Sequence, residues 1–214
     1  MPARRRSTRL LDLDGTLVAP APGIIGSCRY ALEQLGVPPP DPADLRWIIG
    51  PPLRASFAAL LGEGGDPEAA LRHYRERYAA SGLYEATPYP AILEVLEERK
   101  RSGDRLILCT AKPWVFAERV VSHFGFAPLL SAVYGPELDG RFDDKADLIE
   151  RLLQVEALDA DAVSMVGDRE HDVRAAARNG VPTIGVLWGY GSEAELTNAG
   201  AALLIREPRE LLST

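Results

Sequence analysis

A short, mainly apolar run over residues 8–13 stops abruptly at Asp14-Gly15-Thr16. A run of that length turning polar at one end reads as a buried strand that delivers functional groups at its carboxyl end. Two further runs behave alike. Arg105 to Cys109 gives way to Thr110-Ala-Lys-Pro113, and residues 162–166 give way to Gly167-Asp168. Helical patterns fill the intervals at residues 91–101, 114–124 and 145–155, the last with Leu148, Ile149, Leu152 and Leu153 on one side. Strands alternating with helices specify a parallel sheet with crossover helices. The expected fold class is α/β, a Rossmann-like parallel sheet core, with residues 183–187 and 202–205 as its last strands.

Residues 17–86 break this rhythm, because they offer helices and no convincing strand. Ile24, Cys28, Ala31 and Leu35 recur at helical spacing, and Leu71, Tyr74 and Tyr78 form a second stripe. Asp41-Pro42 and Asp66-Pro67 each join a capping residue to proline at the first helical position. We therefore expect an inserted α-helical subdomain over residues 17–86 and a sheet core made of residues 1–16 and 87–214. Pro88 and Pro90 mark the return to the sheet.

Composition narrows the partners. Asp and Glu number 31 against 24 Lys and Arg, for a net charge of -7, which opposes nucleic acid or an anionic membrane as the main partner. Hydrophobic residues at 46% leave enough apolar material for a packed core, so the chain is not of the disordered class. Cys28 and Cys109 form neither a disulfide framework nor a metal spacing, which fits a cytoplasmic protein. Arg4, Arg5, Arg6 and Arg9 suggest an export signal, but Asp12 and Asp14 interrupt the apolar segment it needs, so residues 1–9 read as a solvated tail. Residues 120–136 lack Asp, Glu, Lys and Arg yet contain Gly125, Pro128 and Gly135, and so are no membrane span. A small-molecule ligand and a monomer or weak homodimer are expected.

In open parallel sheets, ligands bind beyond the carboxyl ends of the strands. Asp12, Asp14, Thr110 and Asp168 should therefore converge there, joined by Lys145 at one helix start and Asp172 one turn into another. Clustered carboxylates repel unless a cation neutralises them, and a hard, oxygen-ligated Mg²⁺ is the natural resident. Such an ion also gathers phosphate oxygens, while Lys145 and Thr110 supply charge and a hydrogen bond to a phosphoryl group.

In order and spacing, Asp12-Leu-Asp14-Gly15-Thr16, Thr110, Lys145 and Gly167-Asp168-Arg-Glu-His-Asp172 resemble the four motifs of the haloacid dehalogenase superfamily of phosphohydrolases. The likeness spans nearly the whole chain, and it implies that residues 17–86 are a helical cap and residues 1–16 and 87–214 the catalytic core. Pro22-Gly23-Ile24, Ile49-Gly50-Pro51-Pro52-Leu53, Thr110-Ala-Lys-Pro113 and Leu138-Asp139-Gly140 through Lys145-Ala-Asp147 are similar to the phosphoglycolate phosphatase and 5'-nucleotidase-like branch. Ala19-Pro20 departs from the Asp-Ser frequent in that branch.

The resemblance implies a Mg²⁺-dependent phosphomonoesterase acting on a small phosphorylated metabolite, phosphoglycolate-like or a 5'-nucleotide. Asp12 would be the nucleophile that forms an aspartyl phosphate. Asp14 would protonate the leaving oxygen and then activate water. The Asp12 side chain, the Asp14 backbone carbonyl and Asp168 would hold the metal, supported by Asp172, while Thr110 and Lys145 bind the phosphoryl group. Gly15, Ala111 and Lys112 lie in the same motifs and are expected substrate contacts. Arg54, after the Gly50-Pro51-Pro52-Leu53 turn, is expected to grip a second anion on the leaving group.

Alternatives in other classes are a sugar-phosphate mutase of the same superfamily and a non-enzymatic receiver-like module that merely holds a phosphoryl group. A dehalogenase does not need Asp14, and a phosphonate hydrolase would use a cap lysine, which residues 17–86 lack. Cys109 reads as a buried strand residue and His171 as a surface or supporting group. Trp47, Tyr74 and Tyr78 read as cap packing.

Overall fold

The computed structural model describes residues 7–214. Arg4, Arg5 and Arg6, and most of the expected tail, lie outside the described residues. Thr8 and Arg9, by contrast, already belong to the first strand and are buried, with Arg9 3.8 Å from Asp104. The reading of residue 9 as solvated is corrected on that basis: pairing with Asp104 lets a cation sit at the sheet end.

The core is a six-stranded parallel sheet in the order β5-β4-β1-β6-β7-β8. Its strands are β1 (Thr8–Leu11), β4 (Arg105–Cys109), β5 (Ala132–Tyr134), β6 (Val163–Gly167), β7 (Thr183–Val186) and β8 (Leu203–Ile205). Side chains alternate between faces with a period of two. Leu11, Leu106, Leu108 and Val166 join one apolar cluster, and Leu10, Ile107, Cys109 and Met165 join another. Both faces are therefore covered, which is why these strands read as continuous apolar runs. On the second face lie α6 (Lys145–Val155) and α7 (Glu170–Arg178). On the first lie α4 (Ile92–Arg101) and α5 (Trp114–His123). A shorter α8 (Glu193–Ala199) precedes β8.

Between β1 and α4 the chain forms α1 (Ala21–Gln34), a 3₁₀ segment Pro42–Ile48, α2 (Leu53–Leu61) and α3 (Pro67–Ala80). Asp66 caps α3 by accepting from the Ala69 N–H at 2.9 Å, whereas Asp41 caps only the 3₁₀ turn, through the Ala43 N–H. Ile24, Cys28, Ala31, Leu71, Tyr74 and Tyr78 are buried in the same apolar cluster as Leu11 and Val166, so these helices continue the core of one sheet face. The expectation of no strand in this stretch is corrected. β2 (Val18–Ala19) pairs antiparallel with β3 (Thr87–Pro88), a two-residue ribbon at the point where the chain leaves and re-enters the sheet region. β5 is likewise absent from the sequence reading, because three half-buried residues behind Pro128 carry no periodicity to detect.

Candidate active site

The strand order places β1 between β4 and β6, where connections leave toward both sides of the sheet. Such a switch point opens a crevice at the carboxyl ends. Asp12 follows β1 and is anchored by its N–H to the Val166 carbonyl at 2.9 Å; Thr110 follows β4, with its N–H on the Tyr134 carbonyl at 3.1 Å; Asp168 follows β6. The loop after Asp12 is tightly wound, with Leu17 and Val18 N–H groups both reaching the Leu13 carbonyl, so Asp14 is carried back over the strand ends. Lys145 opens α6 and Asp172 stands in the first turn of α7.

These elements bring three of the expected groups into direct contact and set a fourth beside them. Lys145 Nζ lies 2.8 Å from Asp12 Oδ1 and 2.5 Å from Asp172 Oδ1, all three buried. Carboxylate oxygens of Asp12, Asp168 and Asp172 lie within 4.8 Å of one another. Asp168 is fully buried; its Oδ2 accepts from the Tyr190 N–H at 2.7 Å, while its Oδ1 has no hydrogen-bond partner. An orphaned carboxylate oxygen facing two more carboxylates is costly unless a cation is shared among them. Gly15, at φ 86°, and Gly189 come so close to the Asp168 carboxylate that a β-carbon at either would collide with it. The donor set therefore fits a hard divalent ion with oxygen ligands, such as Mg²⁺.

The electrostatics agree. Burial pushes the Asp12 carboxyl up to about 6, with Lys145 opposing and Asp172 adding to the rise. Asp168 is pushed well up by burial, then by Asp172 and Asp12. For Lys145, burial pulls downward, but Asp12 and Asp172 outweigh it and hold the ammonium above its usual range. In metal-free protein the folded state thus binds the Asp12 proton more tightly than the unfolded chain, whose carboxyl titrates near 3.8. Stability should fall as pH rises from about 4 to about 6 as Asp12 ionises, and Mg²⁺ should restore it. Thermal unfolding with chelator and with Mg²⁺ checks this: the gain in Tm should be larger near pH 7 than near pH 4.5. A gain that does not depend on pH contradicts the assignment.

The other expected contacts are arranged differently. Gly15 donates its N–H to the Val18 carbonyl at 2.8 Å, so its part is clearance for Asp168 and not a free donor to substrate. Thr110 Oγ1 accepts from the Lys112 N–H at 3.3 Å, and Lys112 Nζ forms a buried ion pair with Asp14 Oδ1 at 2.7 Å. Ala111 lines the cavity beside them. Arg54 also lines it, but it contacts Glu68 and lies 3.5 Å from Asp143, so two carboxylates already flank its charge.

Arg75, which periodicity alone presents as one more helix arginine, reaches the same cavity and donates to the Leu138 carbonyl at 2.9 Å. Tyr74 and Tyr78 are buried and yet line that cavity, so packing and site formation are one role for them; Trp47, 43% exposed, does neither. Cys109 is a buried strand residue as expected, and His171 lines a second opening with Arg169 and Arg174. Arg169 carries a contact that the sequence hides: its Nη1 donates to the Ile49 carbonyl at 2.5 Å, tying the sheet region to the helical segment.

A parallel sheet whose switch point gathers three buried carboxylates and a lysine is suited to phosphoryl chemistry. The family model for haloacid dehalogenase-like hydrolases matches residues 10–186, and the chain belongs to that family. It is 45% identical to a 5'-nucleotidase of Pseudomonas aeruginosa over 91% of this chain and 88% of the relative. It is 35% identical to the tyrosine-protein kinase PtkA of Mycobacterium tuberculosis over 95% of this chain and 71% of that protein. A phosphoglycolate phosphatase of Caulobacter vibrioides is 29% identical, covering 93% and 86%. Among solved structures, a predicted phosphatase from Clostridium acetobutylicum superposes with a TM-score of 0.92 at 35% identity, over 98% of this chain and 99% of that one. The protein is accordingly a phosphatase of phosphate monoesters. No helix among the described residues is long and apolar enough to cross a membrane.

Proposed function

We propose that the chain hydrolyses a small phosphorylated metabolite by way of a phosphorylated Asp12, with Asp14 as acid and then base. The observation that carries this reading is the buried Asp12-Lys145-Asp172 contact beside the orphaned Asp168 oxygen. Lys145 fixes the Asp12 carboxylate through one oxygen, which leaves the other to attack phosphorus. Mg²⁺, held by the Asp12 side chain, the Asp14 backbone carbonyl and Asp168, with Asp172 behind, would offset charge on the phosphoryl oxygens. In this reading Thr110 Oγ1 and Lys145 Nζ bind the transferring phosphoryl group, and Asp14 serves the leaving oxygen. Residues 17–86 form the cap that reads the leaving group and residues 87–214 with 1–16 the core that does the chemistry.

Between a glycolate-like and a nucleotide-like leaving group, the apolar part of the cavity supports the nucleotide-like one. Ile24, Ile48, Leu71, Tyr74, Tyr78 and Phe116 give its wall an apolar side, against which a nucleoside places more surface than a two-carbon acid does. A panel of phosphate monoesters assayed with Mg²⁺ and with chelator tests the reading. Phosphate release should require the metal and be faster, by kcat/KM, for 5'-nucleotides than for phosphoglycolate. Label transferred to protein tyrosine with no free phosphate would make the chain a phosphotransferase, and full activity in chelator would remove the metal site from the chemistry.

A further inference from the structure

Lys112 is expected from its motif to touch substrate, yet its ammonium is already engaged. Resting on the phosphatase reading, we propose that Lys112 is a positioning residue that acts through Asp14, holding the acid/base carboxylate in the orientation both of its steps require.

Three observations carry this. Lys112 Nζ lies 2.7 Å from Asp14 Oδ1 with both side chains nearly out of solvent, and Asp14 is its ion-pair partner among the described residues. A buried ammonium separated from its carboxylate is left uncompensated, so the pair is strongly held together. Second, the ammonium sits 5.2 Å over the ring of Tyr78, which stacks on Tyr74 at 5.1 Å and meets Phe116 edge-on at 5.7 Å. The aromatic group gives the lysine a wall to lie against and restricts its rotamers. Third, the loop that carries Lys112 is held at its backbone. The Lys112 carbonyl packs directly on Gly135, where a β-carbon would collide with it, and the Trp114 N–H is bonded to the Pro136 carbonyl at 3.1 Å. The place of Asp14 is therefore set by the lysine side chain, and Lys145, which serves Asp12 and Asp172, does not substitute for it.

A residue that works through Asp14 has no work left once Asp14 is gone, whereas one that binds substrate retains it. A double-mutant cycle reads that difference. Lys112→Met should lower kcat for an alkyl phosphate by about 10²-fold, the low end of general acid–base contributions, with KM changed by less than about threefold. In an Asp14→Asn background the same replacement should change kcat by less than about threefold. For nitrophenyl phosphate, Lys112→Met should spare the first step and slow the second. Lys112→Gln, which retains a hydrogen-bond donor for Asp14, should fall between wild type and Lys112→Met; it takes the same cycle if the methionine variant does not fold by circular dichroism. A raised KM with kcat intact, or equal losses in the two backgrounds, overturns the proposal in favour of direct substrate binding. Failure of the wild-type protein to release phosphate from any monoester would instead overturn the phosphatase reading beneath it.

Discussion

Asp12→Asn is expected to lower turnover of every accepted phosphate ester by about 10⁴-fold or more, while leaving the protein folded. A neutral amide lacks the anionic oxygen that displaces the alkoxide and forms the acyl phosphate, so the first step has no nucleophile. The fold should survive because the amide oxygen can still accept from Lys145 Nζ, which lies 2.8 Å from Asp12 Oδ1, and because a buried carboxyl pushed up to about 6 is itself unfavourable as an anion. Steady-state rates on nitrophenyl phosphate, with Tm as the folding control, measure this. Ordinary rates in Asp12→Asn would mean that water attacks phosphorus directly.

Asp14→Asn should separate acid from base. Proton donation matters when the leaving oxygen is strongly basic, as in alkyl or sugar phosphates, and little when nitrophenolate departs unaided. The first step should therefore slow by about 10² to 10⁴-fold for alkyl esters and far less for nitrophenyl phosphate. Water activation is needed whichever alcohol has left, so the second step should slow for both. Rapid quench should then show a burst of nitrophenol followed by a slow phase. A uniform loss with no burst would assign Asp14 to holding the metal site together.

The chemistry at the strand ends was legible because each residue concerned follows a buried strand. Leu10 and Leu11, Ile107 and Leu108, and Met165 and Val166 are apolar on both faces, and the polar residue that ends each run stands at the crevice by construction. Burial of such side chains contributes about 1.5 to 3 kcal/mol each, enough to offset the cost of setting carboxylates beside them. What the sequence did not show depends on distance in three dimensions. Two residues of β2 and two of β3 are too short for a pattern, and only their pairing makes them strands. Lys112 and Arg54 carry the same kind of charge in the sequence, and it is the neighbours Asp14, Glu68 and Asp143 that give them different tasks. Arg75 was hidden for the opposite reason, since a helix rich in arginine offers no local cue to which one reaches the cavity.

The central claim is that phosphate leaves its ester by way of Asp12. The most direct measurement is mass spectrometry of acid-quenched Asp14→Asn after brief exposure to nitrophenyl phosphate and Mg²⁺, with Asp12→Asn as the blank. The account predicts one phosphoryl group on the peptide that contains Asp12, formed at the rate of the burst and absent from the blank. Nitrophenol release in a burst from protein that carries no phosphoryl group, or carries it on another residue, would contradict it.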